Sequence, residues 1–299
     1  MTAEREQAGA GTGAHHAGAP GTPAPAPTPA PAPVRSSFYT AMRLLPAPQR
    51  AAMLEIYAFC RAVDDIADGT DPVPARRAAL ERWRADIRAC CAGAGPETLG
   101  ALQGHINAFG LACADFEAVI DGMLMDAGAE PLCAPPAATL DLYCDRVASA
   151  VGRLSVKVFG VPGDDGVLLA HHLGRALQLT NILRDIDEDA AVGRVYLPRE
   201  PLLEAGVVLD DSTAGAIAAD PALARACPQV AAQAQRHFDA ARRLMRGYPA
   251  ARVRTPRLMG AVYLALLGRL CERGWDCPRA PVRVGKLARA GILLRHALV

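Results

Sequence analysis

Asp64 and Asp68 stand four residues apart, and Asn181, Asp185 and Asp189 repeat that spacing, so on helices each set forms one stripe. Gln178 falls beside the second stripe and Tyr57 and Arg61 near the first, while Asp65 points about 100° away. A row of Asp and Asn is ordinarily a solvated face. Here Leu179, Ile182, Leu183 and Ile186 make the other positions apolar, and Ala58, Phe59, Ala62, Val63 and Ile66 do the same around the first stripe, which predicts largely buried helices. If the two stripes meet in a core they repel, by about 4 kcal/mol for charges ~4 Å apart at an effective dielectric of ~20, and they require a cation. Carboxylates with one carboxamide are hard oxygen ligands that suit Mg²⁺, with Mn²⁺ as the alternative ion, and such ions complete their shell with water and phosphate oxygens.

Other residues carry open readings of their own. Ser36 and Ser37, next to Arg35, fit either a plain helix N-cap or an anion site. Arg61 on its own suits an i, i+3 ion pair with Asp64, and Arg184 a solvated surface charge. Tyr57 and Tyr143 sit in apolar stretches, where bare aromatics are more often core. Asp121 and Asp126 read as helix-surface charges. His171-His172 lacks an H-E-x-x-H context, carries no zinc signature and reads as structural. No strand-borne G-x-G-x-x-G or P-loop is present, so no nicotinamide cofactor or ATP site is expected.

Taken in order, Ser36-Ser37-Phe38-Tyr39, Tyr57-Ala58-Phe59-Cys60-Arg61, Asp64-x-x-x-Asp68, Tyr143-Cys144, Val147-Ala148-Ser149-Ala150-Val151-Gly152, Asn181-x-x-x-Asp185-x-x-x-Asp189 and Gly193-Arg194-Val195-Tyr196-Leu197-Pro198 resemble the motifs of the squalene/phytoene synthase family, the head-to-head prenyl transferases. The resemblance spans about Ser36 to Ala297. It implies an all-α, single-domain isoprenoid synthase bundle around a central cavity. It also implies that Asp64, Asp68, Asn181, Asp185 and Asp189 hold Mg²⁺. Ser36, Ser37, Phe38, Tyr57, Arg61, Gln178, Asn181 and Arg184 would then contact an isoprenyl diphosphate, and Tyr57, Arg61, Tyr143, Arg184 and Tyr196 would surround the reacting carbons. The Gly193–Pro198 segment would be a flap that excludes water from a cationic intermediate. The wording is most similar to the bacterial branch of hopanoid biosynthesis that joins two farnesyl diphosphates into presqualene diphosphate, which separate downstream enzymes consume. Condensation of geranylgeranyl diphosphate to phytoene, and a complete NADPH-dependent squalene synthesis, are the alternatives within the family. A non-catalytic helical scaffold is the alternative outside it, and the complete ligand set speaks against that.

These residues need helices to place them. Helical runs are expected at 36–45, 48–68, 74–91, 97–109, 113–128, 139–160, 164–188, 213–247, 255–273 and 284–297, with Pro48 in one first turn and Thr139 as an N-cap. Strand-like alternation is nearly absent. Residues 1–34 are rich in Ala, Pro and Gly and read as a disordered tail ahead of one helical domain at 35–299. The 299 residues, 51% of them hydrophobic, suffice for a sizeable core. A net charge of +1 excludes a strong field for nucleic acid. Nine cysteines without C-x-x-C spacing suit reduced thiols, and no ~18-residue apolar run occurs, so a cytoplasmic protein is expected. In the segment from Arg279, the cations Arg279, Arg283, Lys286, Arg289 and Arg295 alternate with Val284, Leu287, Ile292, Leu293 and Leu294. That pattern is either a closing core helix or a weak peripheral anchor at the inner face of the membrane.

Overall fold

A computed structural model describes residues 41–161, 163–285, 288 and 291–292. Among these the regular elements are helices, apart from an isolated parallel bridge between Cys133 and Val195. In chain order they are α1 (Ala47–Ala67), α2 (Val73–Cys91), a 3₁₀ turn, α3 (Gly100–Phe109), α4 (Cys113–Asp126), α5 (Ala137–Cys144), a π turn (Asp145–Ser149) and α6 (Ala150–Phe159). The second half holds α7 (Gly163–Arg184), α8 (Ile186–Ala191), α9 (Arg199–Glu204), α10 (Ala214–Ala219), α11 (Leu223–Arg246) and α12 (Ala250–Arg273). The all-α, single-domain isoprenoid-synthase-type bundle expected from the sequence is the fold found.

α1 buries Ala52, Met53, Ile56, Phe59, Val63 and Ala67 at helical spacing, which leaves Asp64 and Asp68 off the packed side. Phe59 meets Trp83 of α2 and Phe116 of α4 edge to face, with ring centroids 5.7 and 5.1 Å apart. α7 is the hub against which α5, the π turn, α6, α11 and α12 all pack. Its approach to the π turn depends on Gly174, where an added Cβ would come within 2.8 Å of the Ser149 backbone, and a Cβ on Gly152 of α6 would come within 3.1 Å of the Ala170 backbone. Directly after Gly174, buried Arg175 forms a two-pronged ion pair with Asp141 (2.7 and 2.9 Å) and also reaches Asp145 (3.2 Å) and the Ser149 hydroxyl (2.9 Å). Arg153 ties Asp145 to Asp115 of α4. A buried guanidinium costs several kcal/mol to desolvate, and this one is stabilised because its donors are taken. The result locks α5, the π turn and α4 to the helix that carries the second acidic stripe.

Several boundaries differ from expectation. The 164–188 run ends at Arg184, because Asp185 leaves helical geometry at φ −101°, ψ 17°. The backbone ladder nevertheless continues, Asp185 N–H to Asn181 O at 2.9 Å and Asp189 N–H to Asp185 O at 2.8 Å, so the stripe survives the break. The 213–247 run divides into α10 and α11 at Pro221, which forces Asp220 into extended geometry. Thr139 does not cap α5: the helix starts at Ala137 after Pro136, and the Ala137 N–H is satisfied at 2.9 Å by the Glu200 carboxylate from α9, an element the sequence pattern did not reveal. The 1–34 tail, Ser36, Ser37, Phe38 and most of the expected 284–297 helix lie outside the described residues. No helix among the described residues is long and apolar enough to cross a membrane.

Gly174→Ala is expected to lower stability by about 1–3 kcal/mol through overpacking against backbone that cannot yield, a drop of several degrees in thermal midpoint. Gly268→Ala, an exposed position of α12 with no atom within 4 Å of the new Cβ, is expected to raise it by about 0.5–1 kcal/mol. Thermal unfolding of the two variants checks the contrast.

Candidate active site

α1 and α7 border one cavity of about 220 Å³, with Cys60, Arg61 and Asp64 from α1, Gln178 from α7, and Tyr143, Val147, Val151, Val119 and Met123 between them. Arg61, Asp64 and Gln178 supply its charged and amide groups, and the valines and Met123 its apolar lining. In Asn181, Nδ2 donates to Gln178 Oε1 at 3.4 Å, while its carbonyl oxygen Oδ1 is buried and finds no donor among the described residues. An orphaned buried acceptor is costly unless something electropositive meets it.

The two acidic stripes are joined through a third carboxylate. Asp126, at the end of α4, accepts from Tyr196 Oη at 2.6 Å and from Tyr143 Oη at 2.8 Å, and the two rings stack with centroids 4.9 Å apart. Arg194 then donates to Asp68 at 2.7 Å and to the Asp126 carbonyl at 3.4 Å, bridging the segment after α8 to the end of α1. Asp126 repels both Asp64 and Asp189, which places it between the stripes. Burial, and then the neighbouring Asp68, pushes the Asp64 carboxyl up to about 6, against the pull of Arg61. Burial, and then Asp185, pushes Asp189 up to about 7, against the pull of Arg194. Burial also raises Asp126 and the Tyr143 and Tyr196 phenols. Tyr57, half-buried one turn before Arg61, is raised by burial as well.

The arginines expected to face substrate are engaged locally. Arg61 pairs with Asp64 at 2.6 Å and also with Asp65. Arg184 holds Asp185 through two donors, the shorter contacts being 2.6 and 2.5 Å, and its charged form is also favoured by Tyr263. Burial of half-exposed surface is modest here, so these are reserve cations rather than permanent struts. Two expectations need correction. The Gly193–Pro198 segment is not a free flap: Val195, Tyr196 and Leu197 are buried, Val195 exchanges backbone bonds with Leu132 and Ala134 at 2.9 and 2.8 Å, and Tyr196 is fixed on Asp126. Asp126 is not a surface charge but a buried anchor. Asp121 pairs with Arg84 at 2.6 Å. Asp126 and Arg194 were missed as site residues; the signal was Asp126 ending an apolar helix and Arg194 standing inside a segment already recognised.

The sets Asp64/Asp68 and Asn181/Asp185/Asp189 fit a hard cation, since they are all oxygen donors, one of them is buried without a partner, and two of them resist ionisation without one. Because Asp189 keeps its proton to higher pH folded than unfolded, its contribution favours the fold below the ordinary value of 3.8 and is lost as pH rises through about 7. Metal-free Asp189→Asn is therefore expected to match the parent protein near pH ~4 and to exceed it by ~1–2 kcal/mol near pH ~8, after allowance for solvent screening. Mg²⁺ with inorganic diphosphate should erase that gap, as read by thermal unfolding across pH.

Residues 32–288 match the sequence profile of the squalene/phytoene synthase family. A presqualene diphosphate synthase from Rhodopseudomonas palustris is 54% identical over 264 residues, covering 88% of this chain and 94% of the relative. A solved squalene synthase from Alicyclobacillus acidocaldarius superposes with a TM-score of 0.70 at 30% identity, covering 81% of this chain and 96% of the other. A ligand-bound dehydrosqualene synthase gives a TM-score of 0.75 at 24% identity over 88% and 90%, which speaks to the fold. With its motifs in order and its bundle of the same architecture, the chain belongs to the squalene/phytoene synthase family.

Proposed function

We propose that the chain is a prenyl transferase that condenses two farnesyl diphosphates head to head into presqualene diphosphate, releasing diphosphate. The observation that carries this is the likeness to a presqualene diphosphate synthase, 54% identical, in a chain whose acidic stripes are linked through Asp126 and Arg194 and whose Asp64 and Gln178 line a largely apolar cavity. Asp64, Asp68, Asn181, Asp185 and Asp189 would hold Mg²⁺, or Mn²⁺ in its place, and that ion when bound neutralises the leaving diphosphate.

The side chains do the rest. When Asp64 and Asp185 turn to a cation, Arg184 would lose its carboxylate and Arg61 would keep Asp65 but release Nη1, so both guanidiniums would have donors to offer diphosphate oxygens. Gln178 and Asn181 orient the same head group, together with Ser36, Ser37 and Phe38 from the chain's first part. Breaking the C–O bond of one substrate leaves an allylic cation, whose charge the Tyr143 ring at the cavity wall stabilises, with Tyr57 near Arg61 and Tyr196 stacked behind. Val147, Val151, Val119 and Met123 keep water from that cation. The double bond of the second substrate attacks, and loss of a proton to the departing diphosphate closes the cyclopropane. The packed Val195–Leu197 segment seals this side without needing to move far.

The protein works in the cytoplasm in this reading, with weak contact at the inner membrane face to collect its greasy substrates and hand product to downstream enzymes. Arg279 takes no part in that contact: its side chain is 2% exposed and committed to Asp187 and the Ala218 carbonyl. Arg283, which is exposed, keeps that role, and Lys286, Arg289 and Arg295 lie outside the described residues.

Asp64→Asn and Asp185→Asn are each expected to lower kcat by about 10²–10³-fold with the helical content unchanged, and a chelator should abolish turnover reversibly. Purified protein with farnesyl diphosphate and Mg²⁺ should give the same cyclopropyl diphosphate with or without NADPH. Squalene formed only with NADPH would establish both half-reactions in this chain, and a C40 product from geranylgeranyl diphosphate alone would make it a phytoene synthase.

A further inference from the structure

His171 and His172 read as structural in the sequence because nothing near them completes a ligand set. The fold supplies the missing member: His237 of α11 comes against them across the α7–α11 interface, 65 residues on from His172. One ring nitrogen from each of the three histidines lies within 4.8 Å of the others. His172 Nδ1 and His237 Nδ1 are 3.0 Å apart, and the ring centroids are separated by 4.8 Å (171–172), 5.2 Å (172–237) and 5.8 Å (171–237). Three half-buried imidazoles converge in this way, and each in its neutral form offers one nitrogen lone pair. We propose that His171, His172 and His237 form a site for one first-row transition-metal dication of the Zn²⁺ class, separate from the oxygen-lined catalytic stripes.

The donor chemistry selects the ion. In a tetrahedral centre with metal–nitrogen bonds of about 2.0–2.1 Å the nitrogens lie about 3.3 Å apart; the His172–His237 pair is already within that distance, and the third ring has to close in from a spread of up to 4.8 Å. Imidazole nitrogens favour Zn²⁺, Co²⁺, Ni²⁺ or Cu²⁺ over Mg²⁺, whereas the Asp and Asn oxygens of the catalytic stripes favour the reverse. Three protein ligands leave the fourth position to water.

The surroundings keep the rings in the form a metal needs. Burial is the first cause holding all three imidazoles neutral; Arg175 opposes their protonation, and His237 is pushed down to about 4. Asp141 faces both His171 and His237, and Asp145 faces His171, offsetting the positive charges of Arg175 and Arg153 there. Arg243 adds a further positive charge near His172. Occupancy would pin α11 to the helix that presents Gln178 and Asn181, fastening the second acidic stripe from outside.

The test uses the full chain with Co²⁺, whose visible d–d absorption reports nitrogen ligation, followed by competition with Zn²⁺. The parent protein should bind one saturating equivalent, and Zn²⁺ should raise the thermal midpoint by roughly 5 °C. His237→Gln and, separately, His172→Gln should weaken binding by more than about 100-fold with unchanged helical content, while His15→Gln with His16→Gln in the N-terminal tail should leave it intact. Absence of the Co²⁺ spectrum, or its survival in His237→Gln, or its loss with the tail substitutions, would overturn the site. None of these readouts depends on prenyl transfer, so the reaction and the metal site stand or fall separately.

Discussion

The rest of the molecule is arranged around carboxylates that α1 and the α7–α8 junction take out of water, each stripe within electrostatic reach of Asp126. Burial first, and then the neighbouring carboxylate of the same stripe, makes Asp64 and Asp189 hold protons well above the ordinary carboxyl range. Burial raises Asp126 too, while hydrogen bonds from two phenols favour its charged form, and Arg194 brings positive charge to Asp68 and the end of α4. Such a site is poised rather than relaxed. In the proposed function these carboxylates would hold a metal–diphosphate complex, and relief of their crowding would offset part of the ordering that substrate binding requires.

Position matters as much as charge, because a cation site loses its fit with displacements near 1 Å. Gly174 and Gly152 let helix backbones approach closely, and Arg175 then fixes α7 to Asp141, Asp145 and Ser149 from within the core. Gln178 and Asn181 follow one and two turns later on the same rigid helix. The Tyr143–Tyr196 stack serves both tasks, giving a ring face to the cavity and two hydroxyls to Asp126. Phe59 in turn carries α1 on the aromatic contacts with α2 and α4, so both stripes are mounted on packed helices rather than loops.

Local spacing made much of this legible. The i, i+4 rows on apolar helices pointed to oxygen side chains on largely buried helices; Asp68 is nevertheless exposed, and the second row survives even where Asp185 interrupts the helix, since the hydrogen-bond ladder passes through the break. What stayed hidden depends on partners distant in sequence. Arg194 finds Asp68 across 126 residues, Arg279 finds Asp187 across 92, and Glu200 caps a helix 63 residues earlier. Thr139 was a sound local cap that lost to Pro136 and Glu200. The Gly193–Pro198 segment has loop composition, but Val195, Tyr196 and Leu197 are apolar enough to be drawn into the core, which turns an expected flap into a wall.

The central claim is that both stripes share one cluster of divalent ions through a substrate diphosphate. Crystals grown with Mn²⁺ and the unreactive analogue farnesyl thiodiphosphate allow the ions to be located by anomalous scattering. The account predicts Mn²⁺ bound by Asp64 and Asp68 on one side and by Asn181 Oδ1, Asp185 and Asp189 on the other, with the thiodiphosphate between them and Arg61 and Arg184 turned onto its oxygens. Mn²⁺ at one stripe alone, or the analogue held by arginines with both stripes free of metal, would contradict it.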